Sequence, residues 1–343
     1  MGSPSARRRI PWHAILIALL TVGLVAIFLR SINLAEAWRA TLAADPAWIA
    51  AAIGITLQTY ALRAWRWQSL LSPIGGARFR TAFRTTVIGF AATFLLPARI
   101  GEVLRPYLLA REERLNPAAA FATVIVERLL DLCTVLLLFA LALLVAGVDV
   151  GPEIEAAGVM AAAASVAGLA VLFVLAGHPD RLGRMAAGLS RHLPARAAAF
   201  LSHIVQTFAE GLKVMRSPGH LAVAMAWSVP LWLSIALGIV FVSWAFDLTI
   251  SFVGSFLVVG YLAVGVAAPT PGGTGGFHYM YLAAMTQFFD AAADAAGGAA
   301  VVLHLVSFVP VTLLGLVYMS QDGLSLGRLK EMKATAERSK ETR

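Results

Sequence analysis

Charge is what this sequence has least of. Only 13% of its 343 residues are charged and 59% are hydrophobic, whereas a soluble domain carries about 25% charged residues. Half that supply leaves too little polar surface to cover a water-exposed globule, so lipid must be the solvent for much of the chain. Cysteine is nearly missing too: Cys133 stands alone inside an apolar run, which excludes an intrachain disulfide and suits a packing role. The seven histidines have no metal-type spacing. No glycine loop follows a strand, and Gly272 to Gly276 lacks the Lys-Ser/Thr of a phosphate-binding loop. Nothing therefore calls for a metal or a cofactor, and ATP-driven work by this chain alone is not indicated.

What the sequence does have is long apolar runs. A helix needs roughly 20 residues to cross about 30 Å of hydrocarbon, and runs near 12–29, 46–62, 118–147, 156–176, 220–246 and 297–319 meet that need. The first follows Arg7, Arg8 and Arg9, as a signal peptide would. It exceeds the usual apolar length of about 7–15 residues, and no small-x-small cleavage site precedes Arg30; it is expected to be retained as a span. Two further apolar stretches, 82–97 and 251–289, are broken by Pro and Gly.

The net charge of +8 is spread over short loops and the ends of the chain. It forms no contiguous groove for a nucleic acid and follows the positive-inside rule instead. By that rule the basic N-terminus (1–11), the segment holding Arg63, Arg66, Arg78, Arg80 and Arg84, the loop 177–218 and the tail 320–343 are cytoplasmic. Asp149, Glu153, Glu155, Asp247, Asp290 and Asp294 mark external segments. Segment 63–117 then starts and ends inside, and 247–294 starts and ends outside, so their broken stretches are expected to enter the membrane and return from opposite faces. Opposed re-entrant elements characterise inverted-repeat transport folds. Pro97, Gly101, Tyr107 and Leu108 share their spacing with Pro271, Gly275, Tyr281 and Leu282, a weak internal echo. Trp65 and Trp67 around Arg66 read as an interfacial anchor.

Three clusters carry chemistry. In the first, Arg99, Glu102 and Arg105 lie at three-residue intervals and would share one helix face, where guanidinium forks suit a phosphate. Glu127, Arg128 and Asp131 form the second. A charge at the bilayer centre costs at least about 2.5–3.5 kcal/mol and persists when paired or facing a wet cavity. The third is Pro269-Thr270-Pro271-Gly272-Gly273-Thr274-Gly275-Gly276, through which no ordinary helix can run. A helix starting near Phe277 would present N-terminal amides suited to anions, with His278 one turn in. His304, alone on an apolar face, reads as a packing histidine.

Together these segments resemble a known family. Pro97 to Arg105 is similar to its P-x-R-x-G-E-x-x-R motif, Glu127 to Asp131 to its E-R-x-x-D motif, and Pro269 to Gly275 to its P-T-P-G-G-x-G motif. The family is the flippase-like membrane domain of lysylphosphatidylglycerol synthases and its stand-alone, hopanoid-associated and archaeal glycosylation relatives. The resemblance covers nearly the whole chain. It departs at His278, where members often have Glu. A short basic tail follows residue 319 where the synthases carry a soluble aminoacyl-transfer domain, so the lipid-moving half without the synthetic half is expected.

The expected fold is an all-α polytopic membrane bundle with about six full transmembrane helices and two opposed re-entrant hairpins, eight helices by another count. The resemblance implies a transmembrane domain over 12–319 in a bacterial inner membrane, and loop charge makes both termini cytoplasmic. It also implies flipping or transport of an amphipathic lipid, transporter-like rather than enzymatic. The substrate is then a membrane lipid, with lipid-synthesis enzymes as candidate partners and no nucleic acid. The candidate binding residues are Arg99, Glu102, Arg105, Glu127, Arg128, Asp131, Pro271, Gly272, Gly273, Gly275 and His278. A membrane-embedded transferase acting on a lipid or lipid-linked sugar, and a non-catalytic envelope scaffold, are the alternatives.

Overall fold

The computed structural model describes residues 12–96, 99–145, 152–177 and 218–323. Among these the chain forms eleven α-helices and no strand. The basic N-terminus, Pro97 and Ala98, Asp149, nearly all of the 177–218 loop and the tail beyond Gly323 lie outside the described residues.

Six long helices fall where the six spans were expected: α1 (Trp12–Arg30), α3 (Pro46–Leu71), α6 (Pro117–Val145), α7 (Pro152–Gly177), α8 (Pro218–Ala245) and α11 (Ala293–Gln321). Four of them open on proline, whose fixed φ and missing N–H suit the first helical position. Pro117–Val145, Gly219–Ala245 and Ala293–Gln321 are each long and apolar enough to cross a membrane. A fourth crossing is reached if α1 is joined to α2 (Leu34–Ala43), from which it is bent by 79°. Helix α2 was not expected from hydropathy. It is amphipathic and capped by Asn33, whose Oδ1 accepts from the N–H groups of Ala35 and Glu36.

Both broken stretches are helical hairpins: α4 (Phe79–Leu95) with α5 (Gly101–Glu113), and α9 (Ser255–Ala267) with α10 (Gly276–Phe288). The chain divides into two compact units. The first holds residues up to Ala52, Val135–Ala162 and Ala236–Val306; the second holds Ile53–Thr134, Ala163–Ile235 and the residues from Ser307 onward.

In the first unit, α9 and α10 pack so closely that a Cβ on Gly265 would sit 2.6 Å from the Gly276 carbonyl oxygen. Helix α1 lies against α10, with Gly275 pressed on Leu24 and Val25. The Asn33 N–H donates to Asp294 (2.6 Å) and the Asp45 N–H to the Ala245 carbonyl (2.9 Å), which ties together loops expected on the external side.

In the second unit α4 and α5 pinch the same way, since a Cβ on Gly101 would run into the Gly89 carbonyl oxygen. Gly315 gives α11 equally close access to Ala91 and Val87 on α4. The core around Trp67, Leu70, Leu109, Leu130 and Leu221 joins α3, α5, α6 and α8.

Candidate functional site

The charged residues of α6 lie on its buried stripe. Ala120, Thr123, Val124, Glu127, Leu130, Asp131 and Thr134 follow helical spacing and are all buried. Glu127 and Asp131 are four residues apart and so face one way. Three further helices bring partners to them.

Arg66, on α3, has no exposed surface and bridges both carboxylates: Nη1 donates to Asp131 Oδ1 at 2.6 Å, and Nη2 lies 3.2 Å from Glu127 Oε1. Its Nη1 also donates to Ser228 on α8 (3.0 Å), and Trp232 Nε1 on α8 donates to the same Asp131 oxygen at 3.0 Å. Arg105, on α5, donates Nη1 to Glu127 Oε1 at 2.9 Å and stacks its guanidinium 3.8 Å above the ring of Trp67. Trp67 is held in turn by its Nε1–H bond to Thr123 (2.9 Å). Arg128 turns outward on α6 with its side chain 41% exposed, yet its Nη2 reaches back to Glu127 Oε1 (3.0 Å) and Asp131 Oδ2 (3.5 Å). Arg63, one turn before Arg66, places its guanidinium 4.9 Å from the centre of the Phe90 ring on α4.

Two expectations change here. Arg66 and Trp67 are not an interfacial anchor, since both are fully buried and hold the centre of the cluster. The physical reason is the helical period: Arg63, Arg66, Trp67 and Leu70 face inward, while Trp65, Gln68, Ser69 and Ser72 face outward. Those four line an open cavity of about 580 Å³ together with His220 and Trp227. Trp65, 42% exposed, stacks on Trp227 and makes a tilted ring contact with Phe79.

Nor do Arg99, Glu102 and Arg105 form one three-residue face. Arg99 precedes α5 with left-handed backbone (φ 50°), so the helical register starts only at Gly101. Arg99 and Glu102 make a long 3.9 Å contact with side chains 49% and 37% exposed. Arg105 faces the other way, into the unit, to Glu127. Gly89 allows this: a Cβ there would lie 2.6 Å from that of Arg105.

The Pro-Gly run lies in the first unit. Pro271–Gly273 forms a single 3-10 turn, and Gly272, Gly273 and Gly275 have φ of 60°, 70° and 86°, values that favour glycine. The N–H of Gly273 bonds to the Thr270 carbonyl and that of Thr274 to the Pro271 carbonyl, both at 3.1 Å. Gly275 N–H donates to His278 Nδ1 at 3.3 Å, so His278 acts as the side-chain acceptor at the third position of α10. Glu would accept in the same way. His304 Nε2 donates to the Gly272 carbonyl at 2.9 Å, and its ring lies 4.6 Å from that of His278. Sequence alone gave His304 a packing role. Its bond to a turn 32 residues away needs the fold to become visible.

An all-α membrane protein with a buried ionic cluster and two glycine-pinched hairpins is the class that fold and site define. The chain belongs to the lysylphosphatidylglycerol synthase TM region family, which it matches over residues 12–315. It is also similar to glycosyltransferase AglD of Haloferax volcanii, with 32% identity over 135 residues. That match covers 38% of this chain and only 22% of that protein's length.

Proposed function

We propose that this protein moves an amphipathic lipid with an anionic headgroup across the inner membrane of a bacterium, and that the ionic cluster of the second unit is the headgroup site. The observation that carries this is an imbalance of charge. Four guanidiniums (Arg63, Arg66, Arg105 and Arg128) gather around two buried carboxylates (Glu127 and Asp131), and half-exposed Glu102, close enough to act on Arg128, still leaves an excess of one positive charge. Buried charge is costly unless neutralised, and intramembrane ionisable residues mark functional sites by default. A cluster built only for stability would balance its charges. Arg99, half exposed at the break between α4 and α5, is placed to receive the headgroup, and Arg105 to hold it. The glycine turn at 271–275 with His278 is the corresponding break in the other hairpin. Loop charge favours cytoplasmic termini.

Reconstitution in liposomes tests this. Arg105→Gln and Arg99→Ala are each expected to lower the rate of fluorescent anionic lipid translocation at least tenfold while the protein stays monodisperse in detergent. Wild-type rates in both would remove these residues from the mechanism.

A second reading, a membrane-embedded transferase with Glu127 or Asp131 as base, gains support from the similarity to a protein named a glycosyltransferase. It predicts product formation when the purified protein meets lipid and a sugar donor. The short bonds from Arg66 and Arg105 to both carboxylates weigh against a free base.

A further inference from the structure

We infer that α2 lies in the plane of the membrane, with Leu34, Trp38 and Leu42 sunk into the boundary between lipid headgroups and acyl chains. The three follow one another at four-residue intervals and so form one stripe along the helix. Each is apolar, yet more than half exposed.

Helix α2 has two other faces. Ala37 and Thr41 look into the first unit, onto Gly298 of α11, where a Cβ would sit 2.9 Å from the Ala37 carbonyl oxygen and 3.0 Å from the Thr41 hydroxyl. Glu36 and Arg39 occupy the third face, exposed and paired with each other at 2.6 Å. Faces for protein, lipid and water on one short helix are what an interfacial position requires. In water the helix would leave Trp38 and its neighbours wet. Within the acyl layer it would strand Glu36 and Arg39.

Continuity with the lipid-facing surface of α1 commits the occupant to lipid. Leu19, Val22, Ile27 and Leu29 are exposed along that span, and Arg30, also exposed, ends it. A bend of 79° then turns the chain into α2. Other helices of the first unit begin or end beside it. The Asn33 N–H, just before α2, bonds to Asp294 at the start of α11, and the Asp45 N–H, just after it, to the last residue of α8. Trp48 packs there against Trp244 and Phe241, with ring centres 5.0 and 5.3 Å away. Tryptophans collect at the edge of the hydrocarbon, which puts α2 at that edge.

This position gives the glycine turn a depth. Gly275 presses on Leu24 and Val25, less than two helical turns before Arg30. The turn then lies on the order of 8 Å along α1 inside the boundary.

Spin labelling of the full chain in phosphatidylcholine liposomes tests the inference. Single labels enter through Val22→Cys, Glu36→Cys, Trp38→Cys, Arg39→Cys and Leu42→Cys, all at exposed positions. The wild-type chain, whose Cys133 is buried, gives the background. Labels at 38 and 42 are expected to collide more with dissolved oxygen than with a water-soluble nickel chelate, and labels at 36 and 39 the reverse. Leu42→Cys keeps Trp38 in place, so loss of the tryptophan cannot decide the result. The label at 22, deeper on α1, should show the highest ratio of oxygen to nickel collisions.

Nickel access at 38 and 42 equal to that at 39 would overturn the inference, because α2 would stand in water. Shielding of 38 and 42 from both reagents would overturn it as well, by placing a protein on that face. Spin–spin broadening in the shielded case would make that protein a second copy of the chain.

Discussion

Arg66 Nη1 on α3 and Asp131 Oδ1 on α6 lie 2.6 Å apart, although 65 positions separate them in the chain. Both are buried, and through Ser228 and Trp232 the same pair reaches α8. The contact thus ties three helices by charge where apolar packing alone would leave their register loose. Replacing such a pair by well-packed apolar residues is often neutral, whereas removing one partner strands the other.

That asymmetry predicts a double-mutant cycle. Arg66→Met and Asp131→Leu should each lower stability, and the combined variant should lose less than their sum by about 1–3 kcal/mol. Thermal unfolding of all four proteins in one detergent measures it. Additive losses would show that the 2.6 Å contact carries no coupling.

Glu127 accepts from Arg105 and Arg128 and also neighbours Arg66, all through Oε1. Glu127→Gln therefore leaves several guanidiniums in apolar surroundings with a weaker acceptor, at an expected loss of about 3–5 kcal/mol. Glu102→Gln, at a half-exposed position with a long contact to Arg99 and a screened influence on Arg128, is expected to change stability by no more than about 0.5 kcal/mol. Matching melting temperatures for the two variants would contradict the burial of Glu127.

The glycine pinch in the α4–α5 hairpin makes a steric prediction. A methyl group at Gly101 has no room against the Gly89 carbonyl and Thr93, and overpacking typically costs about 1–3 kcal/mol. Gly54, also helical, has nothing within 4 Å of its would-be Cβ. Gly54→Ala should gain about 0.5–1 kcal/mol from lower chain entropy. Opposite shifts in unfolding temperature are the expected outcome, and a stable Gly101→Ala protein would mean the hairpin is more loosely packed.

His278 makes a subtler case. Its Nδ1 accepts from Gly275 N–H, so His278→Ala should cost about 0.5–2 kcal/mol and speed hydrogen exchange at the Gly275 amide. His278→Gln, which restores an acceptor at the third helical position, should recover much of that protection. Equal exchange in all three proteins would show that the capping bond contributes nothing.

Much of this protein follows from the amino-acid order alone. Scarce charge and runs of about 20 apolar residues dictate a membrane bundle, because no other solvent suits such a surface. The breaks at 96–100 and 268–275 are legible for the same kind of local reason, since Pro and Gly restrict or free the backbone wherever they stand. The spacing of Glu127 and Asp131 likewise places both on one face of a helix without knowledge of its neighbours.

Which charges meet is a different matter. Spacing relates residues within one helix, whereas Arg66, Arg105 and Asp131 come from three helices whose rotation and depth are set by packing. Two close contacts belong to that packing: that of Gly89 with Arg105, and that of Trp67 with Thr123. An arginine beside two tryptophans looks the same in sequence whether it faces the headgroups or the core. Only tertiary structure turned Arg66 inward and left Arg63, among the described residues, with no carboxylate in ion-pair contact, and so gave the cluster its excess of positive charge.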